Sequence, residues 1–282
     1  MDVLVTPNAM QDWARARQAT GARLGIVPTM GALHAGHSAL VEAVAERADV
    51  CVVTIFVNPL QFNQSTDFDS YPRPIDDDLR ICAAAGVEAV YAPTSAAMYP
   101  HAFQTHVEPG ELADRLEGPM RPGHFRGVAT VVTKLLAATR ADVAAFGEKD
   151  YQQLAIIRRM VADLDVDVEI VGVPIVRHLD GVAISSRNVR LTPAARDAAV
   201  VLSQALTLAR RAHAAGERDA DALTSLVTAH VAGEPLAALE YADVVDADTL
   251  EPVALADAPS IMLLAAWFGD VRLIDNTQLR RP

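Results

Sequence analysis

Val50-Cys51-Val52-Val53-Thr54-Ile55-Phe56-Val57 is a continuous run rich in β-branched residues. A strand with one wet face alternates apolar and polar residues, whereas a strand covered on both faces reads as a continuous hydrophobic stretch. The run therefore predicts a central strand of a parallel sheet with helices on both sides. Its neighbours agree. Arg23–Thr29 (RLGIVPT) reads as a strand, and Gly36–Asp49 carries apolar residues at helical spacing. Downstream the pattern predicts a helix over Asp76–Ala85, a strand over Glu88–Tyr91 and a helix over Gly127–Ala138. A strand over Asp142–Phe146, a helix over Tyr151–Asp163 and a strand over Val168–Gly172 complete the series. This alternation implies an α/β fold, a Rossmann-like doubly wound parallel sheet over residues 1–175.

Beyond about Pro174 the pattern changes. Thr192 caps a predicted long helix, Pro193–Ala215, with proline at its first position, and a shorter helix follows over Ala220–Val231. The apolar runs Leu239–Val245, Ile261–Phe268 and Val271–Ile274 predict a small antiparallel sheet. Residues 176–282 thus read as a smaller C-terminal α+β domain, expected to act as a lid.

The 282 residues are 51% hydrophobic, enough for a sizeable core, and carry a formal net charge of -12. No lysine- or arginine-rich run is present, which argues against nucleic acid as the main partner. Cys51 and Cys82 lie in apolar surroundings without CxxC spacing and read as buried thiols of a reducing compartment. The N-terminus lacks a basic segment followed by an apolar stretch, and no segment approaches the roughly 18 apolar residues of a membrane span. A cytoplasmic protein is the expectation. Neither a nucleophile elbow nor a glycine-rich dinucleotide or P-loop signature occurs.

Chemistry concentrates at three places. Pro28-Thr-Met-Gly-Ala-Leu-His-Ala-Gly-His37 lies between the first predicted strand and the first helix. Ligands of open parallel sheets bind there, and a helix N-terminus offers unpaired amides to an anion. Gly31 allows a tight turn, Gly36 lets the backbone approach a phosphate, and two histidines three residues apart would face the same anion. Phe146-Gly-Glu-Lys-Asp-Tyr-Gln-Gln153 is again a strand-to-helix junction. Gly147 and Lys149 could hold a ribose and a phosphate, although GEKD is also a common polar helix start. Ile184-Ser-Ser-Arg-Asn188 offers hydroxyls and a guanidinium in a predicted mobile loop, suited to closing over phosphates. It is equally a loop rich in capping residues before a helix. A long polar and aromatic segment, Asn58–Pro74, has the length of a functional wall.

In this order the three elements resemble the HIGH/KMSKS nucleotidyltransferases. Within that superfamily PTMGALHAGH, FVNPLQF, RPGHFRGVATVV, FGEKDYQQL and ISSRN look like the pantothenate synthetase family almost block for block, from about Pro28 to Asn188. The resemblance implies ATP-dependent joining of pantoate to β-alanine through a pantoyl-adenylate, with MgATP as substrate, no organic prosthetic group and a homodimer. It implies ATP along Met30, Gly31, Ala32, Leu33, His34, Ala35, Gly36 and His37, with His34 and His37 on the phosphates and His37 as proton donor. Gly147, Glu148, Lys149 and Asp150 match a second nucleotide segment. Val176, Ile184, Ser185, Ser186 and Arg187 match a third, and Lys149, Ser185, Ser186 and Arg187 would stabilise developing charge. Gln61 and Gln153 match the glutamines that hold pantoate, while Asn58, Arg121 and His124 fall around the acid and amine pockets.

Two departures from the family pattern stand out. Some members carry a further magnesium site of two aspartates and a glutamine. Asp77 and Asp78 match the carboxylates, but Leu79-Arg80-Ile81 follows with no glutamine, and an acidic first turn of a helix is an equal reading. The serine loop continues as Val189-Arg190-Leu191, where an aromatic is frequent. Rival readings are a nucleotidyltransferase that leaves the nucleotide on its product, a tRNA synthetase-like fragment, and a nucleotide sensor without turnover.

Overall fold

The computed structural model describes residues 1–63 and 68–279, in two compact units. The first comprises Met1–Glu148 and Gln152–Pro174. Its sheet holds β1 (Asp2–Leu4), β2 (Leu24–Thr29), β3 (Val50–Ile55), β4 (Ala89–Tyr91), β5 (Val143–Gly147) and β6 (Glu169–Val173). The order is β1-β4-β3-β2-β5-β6, and every pairing is parallel. Its long described helices are α1 (Pro7–Gln18), α2 (Ala35–Ala45), α3 (Ile75–Ala84), α4 (His124–Thr139) and α5 (Tyr151–Asp163).

The continuous hydrophobicity of β3 now has its physical cause. Val52 packs in the core shared with Met10 of α1, Val128 of α4 and Leu154 of α5. Its neighbours Cys51 and Val53 face the opposite core, with Val41 of α2 and Cys82 of α3. Both faces are dry, so the strand is apolar apart from Thr54, which is fully buried as well. Each fully buried side chain of this kind contributes roughly 1.5–3 kcal/mol. Strands are added outward from β2 through β3 to β4, and then on its other side through β5 to β6. That reversal makes the carboxyl ends of β2 and β5 the switch point where such sheets bind ligands.

Strand β1 and helix α1 were absent from the sequence reading. Their signals are local: Thr6 caps the helix by accepting from the Ala9 amide at 3.2 Å, and Pro7 sits in its first turn.

The second unit comprises Lys149–Tyr151 and Ile175–Pro282. Its antiparallel sheet runs β7 (Ala238–Asp246), β8 (Ser260–Phe268), β9 (Val271–Leu279). One core joins it to α6 (Pro193–Ala198), α7 (Val200–Ala214) and α8 (Ala220–Ala232). The helix expected as one piece over Pro193–Ala215 is two. At Ala199 the path tightens, and the Leu202 amide bonds three residues back to the Ala199 carbonyl. The last strand runs five residues beyond the Ile274 expected from the apolar pattern, because Asp275 to Gln278, polar though they are, go on pairing with β8, with Asp275 and Asn276 buried.

Candidate active site

The first chemical element is the turn after β2. Proline 28 has no N–H to continue the ladder, and the neighbouring Thr29 hydroxyl donates to the Thr54 carbonyl at 2.7 Å. The backbone then reverses through two left-handed residues, Gly31 (φ 82°) and Ala32 (φ 51°). A Cβ on Gly31 would come within 2.8 Å of Asp78 Oδ2, so the position needs glycine for space as well as for conformation. Asp78, 1% exposed on the inner face of α3, accepts from the Ala32 and Leu33 amides at 2.9 and 2.8 Å. A single carboxylate thus anchors the turn.

His34 is the N-cap of α2, and His37 closes a reciprocal capping box with it. The Gly36 amide donates to His34 Nδ1 and the His34 amide to His37 Nδ1, each at 3.2 Å. A ring nitrogen that accepts carries no proton, so in both neutral rings the proton sits on Nε2. The rings lie 4.1 Å apart, tilted by 33°. Gly36 permits this stacking, since a Cβ there would meet the His34 ring at 2.9 Å. Sequence, turn and capping together give two Nε2–H donors beside the amino end of a helix, an arrangement suited to an anion.

The second element gathers Asn58, Gln61, His124 and Met30. Asn58 is fully buried and donates to Gln61 Oε1 and to the Gly127 carbonyl, both at 3.0 Å. Its oxygen accepts from the Leu60 amide at 3.2 Å and from the Tyr99 hydroxyl at 2.8 Å. With both ends engaged, Asn58 orients Gln61: the glutamine oxygen is occupied, and its amide nitrogen lies 3.1 Å from Met30 Sδ. His124 Nδ1 donates to the Gln61 carbonyl at 2.8 Å. Burial pushes the Tyr99 phenol above its ordinary range, which keeps it protonated as the donor. Tyr99 is the member of this cluster that sequence reading missed; it lies outside every matched block. Gln153 is half-buried in the first turn of α5. Arg121 is half-buried in the turn before α4, where its carbonyl accepts from the His124 amide.

A cavity of about 240 Å³ adjoins Met30 and Gly31, with Asp78, Arg73, Phe68 and Thr94 in its walls. Phe68 and Arg73 come from the Asn58–Pro74 segment, of which residues 64–67 lie outside the described part. Arg73 ties residues 68–73 together by donating to the Phe68 and Tyr71 carbonyls at 2.7 and 3.0 Å.

The second unit holds the remaining residues named for the nucleotide, apart from Gly147 and Glu148 at the end of β5 in the first unit. Lys149 has 15% of its side chain exposed, 3.7 Å from Asp150. The hairpin before the serine loop is closed by the Arg177–Ala183 bridge and by the Ile184 amide on the Val176 carbonyl at 2.9 Å. The loop itself is a 3-10 turn, Ser186–Arg190, with its own capping box. Ser185 Oγ accepts from the Arg187 amide at 3.2 Å, and Asn188 Oδ1 accepts from the Ser185 amide at 2.7 Å.

Asp77 and Asp78 go separate ways. Asp77 points outward and pairs with Arg80, while Asp78 is committed to the turn amides. Among the described residues, no group of three or more His, Cys, Asp or Glu side chains could hold a metal. Both cysteines are buried free thiols. Burial, with Glu88 and Cys82 adding repulsion, pushes Cys51 up to about 12, and burial beside Asp78 pushes Cys82 up to about 11. No described helix is long and apolar enough to cross a membrane.

Against this geometry stands a family match: the profile of the pantoate-beta-alanine ligases covers residues 2–278. The chain belongs to that family. The ligase is 48% identical over 282 residues to the pantothenate synthetase of Chloroherpeton thalassium, covering 99% of each chain. It is 53% identical over 268 residues to that of Salinispora arenicola, covering 95% of this chain and 94% of the relative. The crystal structure of pantothenate synthetase from Thermus thermophilus superposes with a TM-score of 0.94 at 40% identity, covering 100% of both chains. The Francisella tularensis pantoate-beta-alanine ligase, complexed with beta-gamma ATP and beta-alanine, superposes with a TM-score of 0.79 at 33% identity, covering 98% of this chain and 97% of that one.

Proposed function

We propose that this ligase activates (R)-pantoate with MgATP and transfers the pantoyl group to β-alanine, giving pantothenate, AMP and pyrophosphate. The observation that carries the reading is the reciprocally capped His34–His37 pair at the amino end of α2, beside the switch point of the sheet. Two Nε2–H donors and the helix amides suit a triphosphate. In the first step a pantoate carboxylate oxygen attacks the α-phosphorus in line and pyrophosphate leaves. Along Met30, Gly31, Ala32, Leu33, His34, Ala35, Gly36 and His37 the nucleotide is held, His34 donates to phosphate oxygens, and His37 is the proton donor. Lys149, Ser185, Ser186 and Arg187 stabilise charge as it develops, and Gly147, Glu148, Asp150, Val176 and Ile184 contact the nucleotide.

Gln61, with its amide turned by Asn58, and Gln153 hold pantoate. Asn58 and His124 set Gln61, and Arg121 borders the amine site. In the second step the neutral amine of β-alanine attacks the acyl carbon of the anhydride and AMP leaves. The Asn58–Pro74 wall keeps water from the anhydride. Magnesium enters with ATP: the engagement of Asp77 by Arg80 and of Asp78 by two amides does not fit a separate resident ion, and no step is routed through one. The enzyme works in the cytoplasm as a homodimer, the state implied by the family resemblance, and sedimentation of the purified chain checks it.

The decisive assay omits one substrate at a time. Pyrophosphate exchange into ATP is expected with pantoate alone, and AMP accumulation only when β-alanine is also present. Exchange that ignores pantoate, or a product that keeps the nucleotide, overturns the reading.

A further inference from the structure

Asp275 and Asn276 stand side by side in β9, 3% and 5% exposed. Successive strand residues face opposite sides of a sheet, so adjacent buried polar residues mean that both faces are covered there and that each face holds its own polar contact. Asp275 pairs across the sheet with Leu264, a member of the helix-facing core. On that side it takes the Arg177 guanidinium bidentately, Nη1 at 2.7 Å and Nη2 at 2.8 Å. Arg177 in turn donates to the Gly181 carbonyl at 2.9 Å, which fixes the hairpin whose return arm becomes the Ser185–Arg187 loop. Asn276 donates from Nδ2 to the Lys149 carbonyl at 3.0 Å. Its own amide donates to Asp275 Oδ1 at 2.8 Å. Tyr151 adds a second tie from the lysine segment, its hydroxyl donating to the Ala247 carbonyl at 3.1 Å. These ties explain why Lys149–Tyr151 groups with the second unit although the chain reaches it from β5.

We propose that Asp275 and Asn276 are positioning residues that fix the lysine segment and the serine–arginine loop to one strand. The ammonium of Lys149 and the donors of Ser185, Ser186 and Arg187 then meet phosphate as a preset group. The inference rests on the reading of those four residues as phosphate-stabilising. A buried carboxylate bidentate to arginine is a geometrically specific contact, and displacement of a charged group by about 1 Å can cost on the order of 100-fold in rate. Evenly apolar residues would bury the strand equally well but would hold neither segment.

The test uses the full-length enzyme, with Asn276→Asp, which removes the donor at constant shape, and Asp275→Asn, which weakens the arginine clamp. Pantoate-dependent pyrophosphate exchange should fall about 10–100-fold in each. The KM for β-alanine should stay unchanged, a split that general loss of structure would not produce. With Lys149→Ala as background, Asn276→Asp should add less than about 2-fold, because its effect passes through the lysine. Independent, multiplicative losses overturn the proposal. Hydrogen exchange at the amides of residues 149–151 and 184–188 gives a readout free of catalysis. Faster exchange in both segments on Asp275→Asn is expected, and unchanged exchange in residues 149–151 in both variants overturns the proposal even if activity falls. If Lys149→Ala leaves pyrophosphate exchange intact while the amides still loosen together, the positioning stands and the assigned role of the lysine fails.

Discussion

The turn over residues 29–37 and the loop over residues 184–190 solve the same problem by opposite means. Each is a reciprocally capped segment, His34 with His37 in one and Ser185 with Asn188 in the other. The first is gripped from beneath, by one buried carboxylate that accepts two of its own amides. The second is gripped at its flanks, where Arg177 ties the preceding hairpin to Asp275 and Arg196 of α6 ties the hairpin tip to Asp180. An anchor on the backbone of the turn governs the geometry of its donors directly. Anchors at the flanks govern it through the intervening chain, so loss of the partly exposed Arg196–Asp180 pair should be felt more gently than loss of the buried Asp275 clamp.

The largest effects should come from the donors themselves. His37→Ala or Lys149→Ala should lower pantoate-dependent pyrophosphate exchange at least ~100-fold, as for removal of one preorganised electrostatic group. Near-normal exchange in both would remove the difference between donors and anchors on which the comparison stands.

Next comes the carboxylate anchor. Asp78→Ala leaves the Ala32 and Leu33 amides without their acceptor, at a cost of about 2–4 kcal/mol in urea unfolding, and should lower exchange at least ~10-fold. Asp77→Ala, outward and paired with Arg80, should change stability by less than about 0.5 kcal/mol. Equal effects of the two substitutions would show that the turn is not held from beneath.

The flank anchor ranks lower. Arg196→Ala should cost no more than about 1 kcal/mol, since the pair is partly exposed. The Arg196 hydrogen bond holds the Asp180 carboxyl below its ordinary range. A depressed carboxylate contributes stability above its unfolded value, near pH 4, and loses that contribution as pH falls through the folded value. The gap between wild type and Arg196→Ala should therefore be full at pH 7 and close in acid; a gap that widens in acid would contradict the pairing.

The smallest expected effect is none. Native Cys51 and Cys82 should resist iodoacetamide at pH 8, because burial disfavours their thiolates. Cys82 lies one helical turn beyond Asp78 on α3, so its alkylation in Asp78→Ala would report that the helix has moved. Above pH 9 the sign is fixed: the unfolded chain releases thiol protons that the native protein keeps up to about 11–12, so stability should fall as pH rises through that window.

Apart from β1 and α1, whose signals are local yet easily passed over, legibility followed the range of the interaction that decides each feature. The doubly wound sheet was readable because burial on both faces writes itself into Val50–Val57 as continuous hydrophobicity. The turn of paired histidines was readable because capping and glycine requirements are local. The commitment of Asp78 to that turn was not legible: the sequence offers Asp77 and Asp78 together, as a magnesium pair or an acidic first helix turn, and only the structure separates them. Tyr99 and Asp275 were invisible, because each is explained only by a residue far off in the chain: Tyr99 by Asn58, Asp275 by Arg177.

From its amino acids alone this chain determined most of its strands and helices, the strand-to-helix junctions proposed to carry its chemistry, and its family, since periodicity, caps and motifs act over a few residues. Only the tertiary structure decided which way the Gln61 amide faces, which aspartate supports the histidine turn, and that a strand near the C-terminus holds the lysine segment. Those are pairings of buried polar groups. A buried donor needs its acceptor within about 3 Å whatever the separation along the chain, and folding alone brings them together.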